Sequence, residues 1–205
     1  MRQTGIPKSV LERLPMYLHY LKSQPCGEGD AISSGGIARA LRLGEVQVRK
    51  DLARVSGAGK PKVGYLTGEL VAHLESVLGV NDEKRAVIVG AGHLGRALLS
   101  YTGFAEYGLQ IAAAFDTDAA RLGRLENGRE VFPMDALEDF CRGRSIDIGI
   151  ITVPEKSAQP VCDRLIACGI RAIWNFAPCP LDLPEQIGIR QENMAASLAV
   201  LAANL

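Results

Sequence analysis

An apolar run at residues 85–89, Arg-Ala-Val-Ile-Val, leads directly into Gly90-Ala91-Gly92-His93-Leu94-Gly95. A helix-forming stretch from Arg96 follows. No other feature constrains the chain so strongly. A buried strand, a glycine-rich turn and a helix in immediate succession predict the opening unit of a dinucleotide-binding parallel sheet. Gly90 permits the tight turn, Gly92 lets backbone approach a pyrophosphate, and Gly95 lets the helix pack on the strand. The helix N-terminus offers N–H donors and positive potential to phosphates.

The next apolar strand, Leu109 to Phe115, ends in Asp116, 26 residues after Gly90. A carboxylate there accepts hydrogen bonds from the adenosine ribose hydroxyls and repels a 2′-phosphate, which predicts NAD rather than NADP. Asp118 is a second candidate for this role, and Arg121 counts against the NAD preference. The competing structural reading of Asp116 is a helix N-cap. Helix and strand alternate onward: a helix at 133–141, a strand at 146–153, a helix at 157–168, and strands at 172–175 and 187–190. Ligands bind at the carboxyl ends of such strands, so Thr152, Val153, Pro154 and Asn175 are expected to line the site. Residues 193–205 predict an alanine-rich helix, apolar almost all round, buried against a partner subunit.

The first 80 residues read differently. Leu11, Leu14, Leu18 and Leu21 predict a helix over 9–22. A short helix at 35–41, with Ser33 and Ser34 as N-cap candidates, is joined through Arg42-Leu43-Gly44 to a second helix over 45–55. That is a helix-turn-helix pattern. Val48, Leu52 and Val55 face inward, and Gln47, Arg49, Lys50 and Arg54 face outward. Gln suits adenine edges, Arg suits guanine, and Lys neutralises phosphate. Gly57, Gly59 and Pro61 predict a turn before a strand at 63–66, with Lys60 and Lys62 upon it, which makes a wing. The alternative is a plain three-helix bundle. A helix over 70–78 carries His73, read as a satisfied, partly buried histidine rather than a ligand. The Gly-Ala-Gly-Lys at 57–60 is no phosphate loop, because Arg54 and Pro61 occupy positions that need Gly and Ser/Thr.

Charge supports the division. The formal net charge is zero, yet residues 1–80 hold 11 Lys/Arg against 7 Asp/Glu. The remaining 12 and 16 leave the second part acidic by four. A basic first part suits nucleic acid. No apolar run is long enough for a transmembrane span, and the N-terminus lacks a signal-peptide core, which predicts a cytoplasmic protein. The five cysteines form no C-x-x-C pair, so no metal site or disulfide framework is expected. About 125 residues follow the basic part, room for a dinucleotide fold without a substrate domain. The histidines are His19, His73 and His93, and His93 lies inside the glycine loop, a poor place for proton transfer. No catalytic constellation is visible, so no enzyme is expected. An NAD-dependent oxidoreductase, or a sensor of coenzyme A or another nucleotide, is the alternative. A DNA-binding protein using the second fold only as a dimerisation scaffold is a further one.

The segments IPKSVLERLPMYLHYL, VQVRKDL, KVGY, VGAGHLGRAL, TVP and NFAP occur in order across almost the whole chain. Together they resemble the Rex redox-sensing transcriptional repressors of bacteria. The resemblance implies an α/β chain in three parts. Residues 1–80 are a winged helix-turn-helix DNA-binding domain, 81–190 a Rossmann-type NAD(H)-binding domain, and 191–205 a terminal dimerisation helix exchanged between subunits. It implies a homodimer on palindromic double-stranded operator DNA, compatible with NAD⁺ and released by NADH. Gly90, Gly92 and Gly95 would hold the pyrophosphate and Asp116 the ribose. Tyr101 would lie near the nicotinamide and take part in the switch, and Gln47, Arg49 and Lys50 belong to the recognition helix. This chain has Pro61-Lys62 where the family usually has Arg-Gly. His19 and Asn193 stand where some members pair an arginine with an aspartate, which implies a differently weighted switch.

Overall fold

The structure is a computed structural model and describes residues 5–25, 29–61, 63–125 and 128–203. The chain divides into two compact units, the second beginning at Glu83. The first contains α1 (Lys8–Leu11), α2 (Leu14–Ser23), β1 (Ala31–Ile32), α3 (Ser34–Leu41), α4 (Glu45–Ser56), β2 (Tyr65–Leu66) and α5 (Thr67–Leu78).

The single helix expected over 9–22 is two helices, because Pro15 falls in the first turn of α2. A proline lacks the N–H that an interior position must donate, so the helix restarts around it. Ser33 caps α3, its hydroxyl oxygen accepting from the Gly36 N–H at 2.9 Å. Arg42, in the left-handed region at φ 55°, ends α3 and opens the turn to α4. The expected wing strand over 63–66 is shorter: only Tyr65 and Leu66 pair, antiparallel to Ile32 and Ala31. Lys60 and Gly64 are bridged across the turn before it. The unit is thus a winged helix-turn-helix, its core built on Leu14, Leu18, Leu21, Ile37, Leu52 and Leu70. His73 is exposed rather than partly buried, because its ring turns outward to share a 3.0 Å hydrogen bond with Ser56.

One polar cluster joins α2 to α4. Arg13 donates through Nε and Nη2 to the two oxygens of Asp51, at 2.7 and 2.9 Å, and the Tyr17 hydroxyl donates at 2.8 Å. Burial alone would raise the Asp51 carboxyl, but the Arg13 and Tyr17 hydrogen bonds outweigh it and hold the group below its ordinary value. Burial first, then the hydrogen bond to Asp51, pushes the Tyr17 hydroxyl up to about 12.

The second unit is a seven-stranded sheet in the order β5-β6-β4-β3-β7-β8-β9. Its strands are β3 (Lys84–Val89), β4 (Leu109–Asp116), β5 (Gly123–Arg124), β6 (Glu130–Pro133), β7 (Ile148–Ile151), β8 (Ala172–Asn175) and β9 (Gly188–Gln191). All pairs are parallel except β5 with β6. Its helices are α6 (His93–Ser100), α7 (Leu137–Cys141), α8 (Glu155–Ala167) and α9 (Met194–Ala202). Alternate residues of β3 serve opposite faces: Val87 and Val89 join one core with α7 and α8, and Ala86 and Ile88 join the other with Leu99 of α6. The helix expected at 133–141 is a 3-10 turn at Met134–Ala136 followed by α7. The hairpin β5–β6 stands outside the predicted alternation of helix and strand.

The terminal helix α9 is exposed in the single chain. No side chain of α9 is buried, and Met194, Leu198, Val200 and Leu201 are 61–66% exposed. Among the described residues of the chain, no side chain of this helix is covered by another element. Among the described residues no helix is long and apolar enough to cross a membrane. Burial pushes the Cys141 thiol up to about 12 and the Cys162 thiol up to about 11, so both are held protonated. Cys26 lies outside the described residues.

Asp51→Asn should destabilise the first unit by about 3 kcal/mol at neutral pH, since it strips the carboxylate from a largely buried pair. The folded-state value of Asp51 lies below its unfolded value of about 4. Its contribution is therefore complete above that value and is lost as pH falls through the folded one. Urea unfolding of the full chain at descending pH checks this: the gap between wild type and Asp51→Asn narrows in acid.

Candidate nucleotide site and nucleic-acid face

The glycine loop sits between the carboxyl ends of β3, β4 and β7. Gly90 has φ +103°, and a Cβ on it would lie 2.6 Å from the Thr152 carbonyl. A Cβ on Gly95 would lie 1.8 Å from the Gly90 carbonyl oxygen, so α6 packs against the loop only through a bare α-carbon. Thr152 Oγ1 donates to that same carbonyl at 2.7 Å. Gly92 differs: its added Cβ would touch only a guanidinium nitrogen of Arg121, at 3.7 Å. It stands at the N-cap of α6 with no side chain capping the helix. The loop thus presents open backbone to the N-terminal end of α6, as a pyrophosphate needs. Ala91 is buried, His93 exposed and Leu94 half-buried along it.

Asp116 is buried at the end of β4. Its Oδ2 accepts from the Ala91 N–H at 2.7 Å, and its Oδ1 accepts from the Asp118 N–H at 2.9 Å. Arg121 pairs with Asp116 at 3.2 Å and with Asp118 at 3.1 Å. Burial would raise the Asp116 carboxyl, but the two N–H donors and Arg121 outweigh it and hold it below the usual carboxylate range. The competing N-cap role belongs to Asp118, which accepts from the Ala120 N–H at 3.0 Å. A cleft of about 310 Å³ brings together Gly90, Asp116, Asp118 and Arg121 with Thr152, Val153 and Pro154.

Asn175 does not line this cleft. It is wholly buried, donating to the Ala177 and Cys179 carbonyls and to Gln191, and accepting from the Ala177 N–H. A buried amide at a strand end must satisfy all its polar atoms, and here that requirement fixes the loop after β8. Tyr101 also stands outside the lining of that cleft, at the C-cap of α6 and 61% exposed. Its ring meets Phe104 edge-on at 5.0 Å, Phe104 meets Trp174 at 5.9 Å, and Trp174 packs on Phe176 at 4.6 Å. The Trp174 indole donates to Glu192 at 3.2 Å, two residues before α9. Asn193 caps α9, accepting from the Ala196 N–H at 2.9 Å. His19 is exposed on α2, in the other unit.

Sequence reasoning named Thr152 as a lining residue but missed that it locks the Gly90 carbonyl. It missed Glu192 altogether, since a lone glutamate after a strand carries no local signal.

In the first unit Gln47, Arg49, Lys50 and Arg54 all lie on the exposed face of α4, while Val48, Asp51 and Leu52 are buried on the other. Val55 is half-buried. A concavity of about 390 Å³ gathers Ser33, Arg49, Lys60, Val63 and Tyr65 between the start of α3, α4 and the turn before β2. Lys62 lies outside the described residues.

Residues 5–53 match the family model described as "Putative DNA-binding protein N-terminus", and residues 81–179 match the one described as "CoA binding domain". A redox-sensing transcriptional repressor Rex of Carboxydothermus hydrogenoformans is 39% identical across all of this chain and 99% of that protein. The Rex of Treponema denticola is 41% identical over 93% of this chain and 91% of that protein. The crystal structure of RSP with β-NAD⁺ and operator DNA superposes at a TM-score of 0.89, with 33% identity, covering 97% of this chain and 92% of that one. RSP with β-NADH superposes at 0.83, with 32% identity, covering 97% and 93%. With such likeness along its whole length, the chain belongs to the Rex family of redox-sensing transcriptional repressors.

Proposed function

We propose that this chain represses transcription by binding operator DNA and leaves the operator when NADH binds, so that it reads the NADH/NAD⁺ ratio. The observation that carries the reading is Asp116. A buried carboxylate at the end of β4, beside a glycine loop that has no room for a side chain at Gly90 or Gly95, suits a ribose with both hydroxyls free. The same chain carries a helix whose outward face is Gln47, Arg49 and Lys50.

In this reading residues 1–80 bind DNA, 81–190 bind the dinucleotide, and 191–205 pair two copies into a homodimer. The exposed apolar side chains of α9 support that last role. Gly90, Ala91, Gly92, His93, Leu94 and Gly95 hold the pyrophosphate by backbone, and Asp116 holds the adenosine ribose. Thr152, Val153 and Pro154 wall the site. Tyr101 faces the nicotinamide end, backed by Phe104 and Trp174. His19 and Asn193 take the place of a charged pair in the switch. The dinucleotide supplies a redox signal, since reduction removes the positive charge of its nicotinamide ring. Gln47 and Arg49 read base edges, while Lys50, Arg54, Lys60 and Lys62 neutralise phosphates. Arg49 and Lys60 share a concavity with Ser33, which caps α3. No reaction is assigned, and a DNA-bound repressor of this kind is cytoplasmic. The second reading, a coenzyme A sensor, draws on the family model over 81–179. Asp116 weighs against it, because coenzyme A carries a 3′-phosphate where this carboxylate lies.

Operator affinity at fixed salt should fall at least about tenfold when NADH replaces NAD⁺. A complete switch from 1:99 to 99:1 needs about 5.5 kcal/mol of differential affinity. Fluorescence anisotropy on labelled operator checks this, and equal affinities would overturn it.

Gly92→Ala and Gly95→Ala should separate binding from folding. The added methyl at 92 meets only Arg121, so the melting temperature holds while NADH affinity drops at least about tenfold. The methyl at 95 collides with the Gly90 carbonyl and should cost about 2 kcal/mol of stability.

Lys60→Ala, which removes one phosphate contact from each protomer of the dimer, should lower the salt dependence of operator binding by about two units of slope and weaken all sequences alike. Gln47→Ala should leave the slope intact and relax base preference, as read by a panel of single-base operator variants.

A further inference from the structure

Asp116 has more demands on it than a carboxylate can meet. Its two oxygens offer about four acceptor directions. The Ala91 N–H, the Asp118 N–H and the Arg121 guanidinium already take three. A ribose diol brings two further donors, so at least one present partner must yield. The two N–H groups are backbone, set by the glycine loop and by the end of β4. Arg121 is a side chain, 44% exposed, and it keeps a second anchor on Asp118 at 3.1 Å. Its guanidinium also stands beside the glycine loop, within 3.7 Å of where a Cβ on Gly92 would be. The partner free to move is therefore a cation already at the adenosine end.

We propose that Arg121 is the specificity-determining residue of this site: it yields Asp116 to the ribose diol and meets a phosphate carried at the 2′ position. Asp116 disfavours that phosphate by charge, and Arg121 offsets the repulsion. The two side chains together, rather than Asp116 alone, set the discrimination between NADH and NADPH. The inference rests on the dinucleotide reading above.

The test is direct binding of NADH and of NADPH to the full-length protein, followed by energy transfer from Trp174, the chain's one tryptophan. Arg121→Gln should weaken NADPH about tenfold, leaving Asp116 and Asp118 to face the phosphate unopposed, and should change NADH by less than about threefold. Arg121→Lys keeps the charge and should restore most of the NADPH affinity, which a merely structural role would not produce. If wild-type NADPH binding is too weak to follow, Asp116→Ser supplies the background: NADPH affinity rises there and falls again in Asp116→Ser/Arg121→Gln. NADH binding with an NADPH-to-NADH ratio that ignores Arg121 overturns this inference alone. Failure of wild type to bind either nucleotide overturns the dinucleotide reading and this inference with it.

Discussion

The carbonyl of Gly90 is the point on which the nucleotide end of the sheet turns. Thr152 donates to it at 2.7 Å, and Gly95 approaches so closely that any side chain there would collide with it. This one oxygen ties the loop after β3 to the end of β7 and to the second residue after the start of α6. The helix therefore begins at a fixed height above the strands, with its N-terminus aimed across the loop. The Ala91 N–H then falls within 2.7 Å of Asp116, which brings the end of β4 into the same arrangement. Three strand ends and a helix start are positioned by contacts that the bare α-carbons of Gly90 and Gly95 make possible.

Each unit also contains a buried carboxylate that organises its surroundings in a different way. Asp51 is paired by Arg13 and Tyr17 from α2, so its charge holds helices together and is saturated by side chains. Asp116 is held chiefly by backbone N–H groups, with an exposed arginine as its displaceable partner. In the low-dielectric interior an unpaired carboxylate is costly, so both must be satisfied in the folded chain. One is satisfied by groups that pack in the core. The other is satisfied partly by a group that can leave.

The glycine loop, the parallel strands and the helix-turn-helix were legible because each rests on local chemistry: a glycine spacing, an apolar run, a turn between amphipathic segments. The outward set Gln47, Arg49, Lys50 and Arg54 followed from helical periodicity alone, and all four are exposed. The break between α1 and α2 was also written locally, in Pro15, but leucine periodicity runs through it and masks it. The hairpin β5–β6 is short and irregular, and it depends on the edge of β4 for its partner. Asn175 looked like a lining residue by its place at a strand end. Only the loop it closes, through Ala177, Cys179 and Gln191, shows why the amide is turned inward. The all-round apolar character of α9 points to a cover from outside the chain, and among the described residues no side chain of the helix is buried.

The helix α4 interleaves two alphabets. Val48, Asp51 and Leu52 are committed to the core, while Gln47, Arg49, Lys50 and Arg54 between them carry almost none of the packing. Residues one or two apart on a helix do not face each other, so the two sets pack separately although they alternate along the chain, with Arg54 reaching Asp51 by its charge alone. Such an arrangement makes the outward face evolvable. Its side chains can be exchanged, one at a time or together, at little cost to stability, because the anchor to Arg13 and Tyr17 lies on the opposite side. New recognition can arise without first repairing the fold.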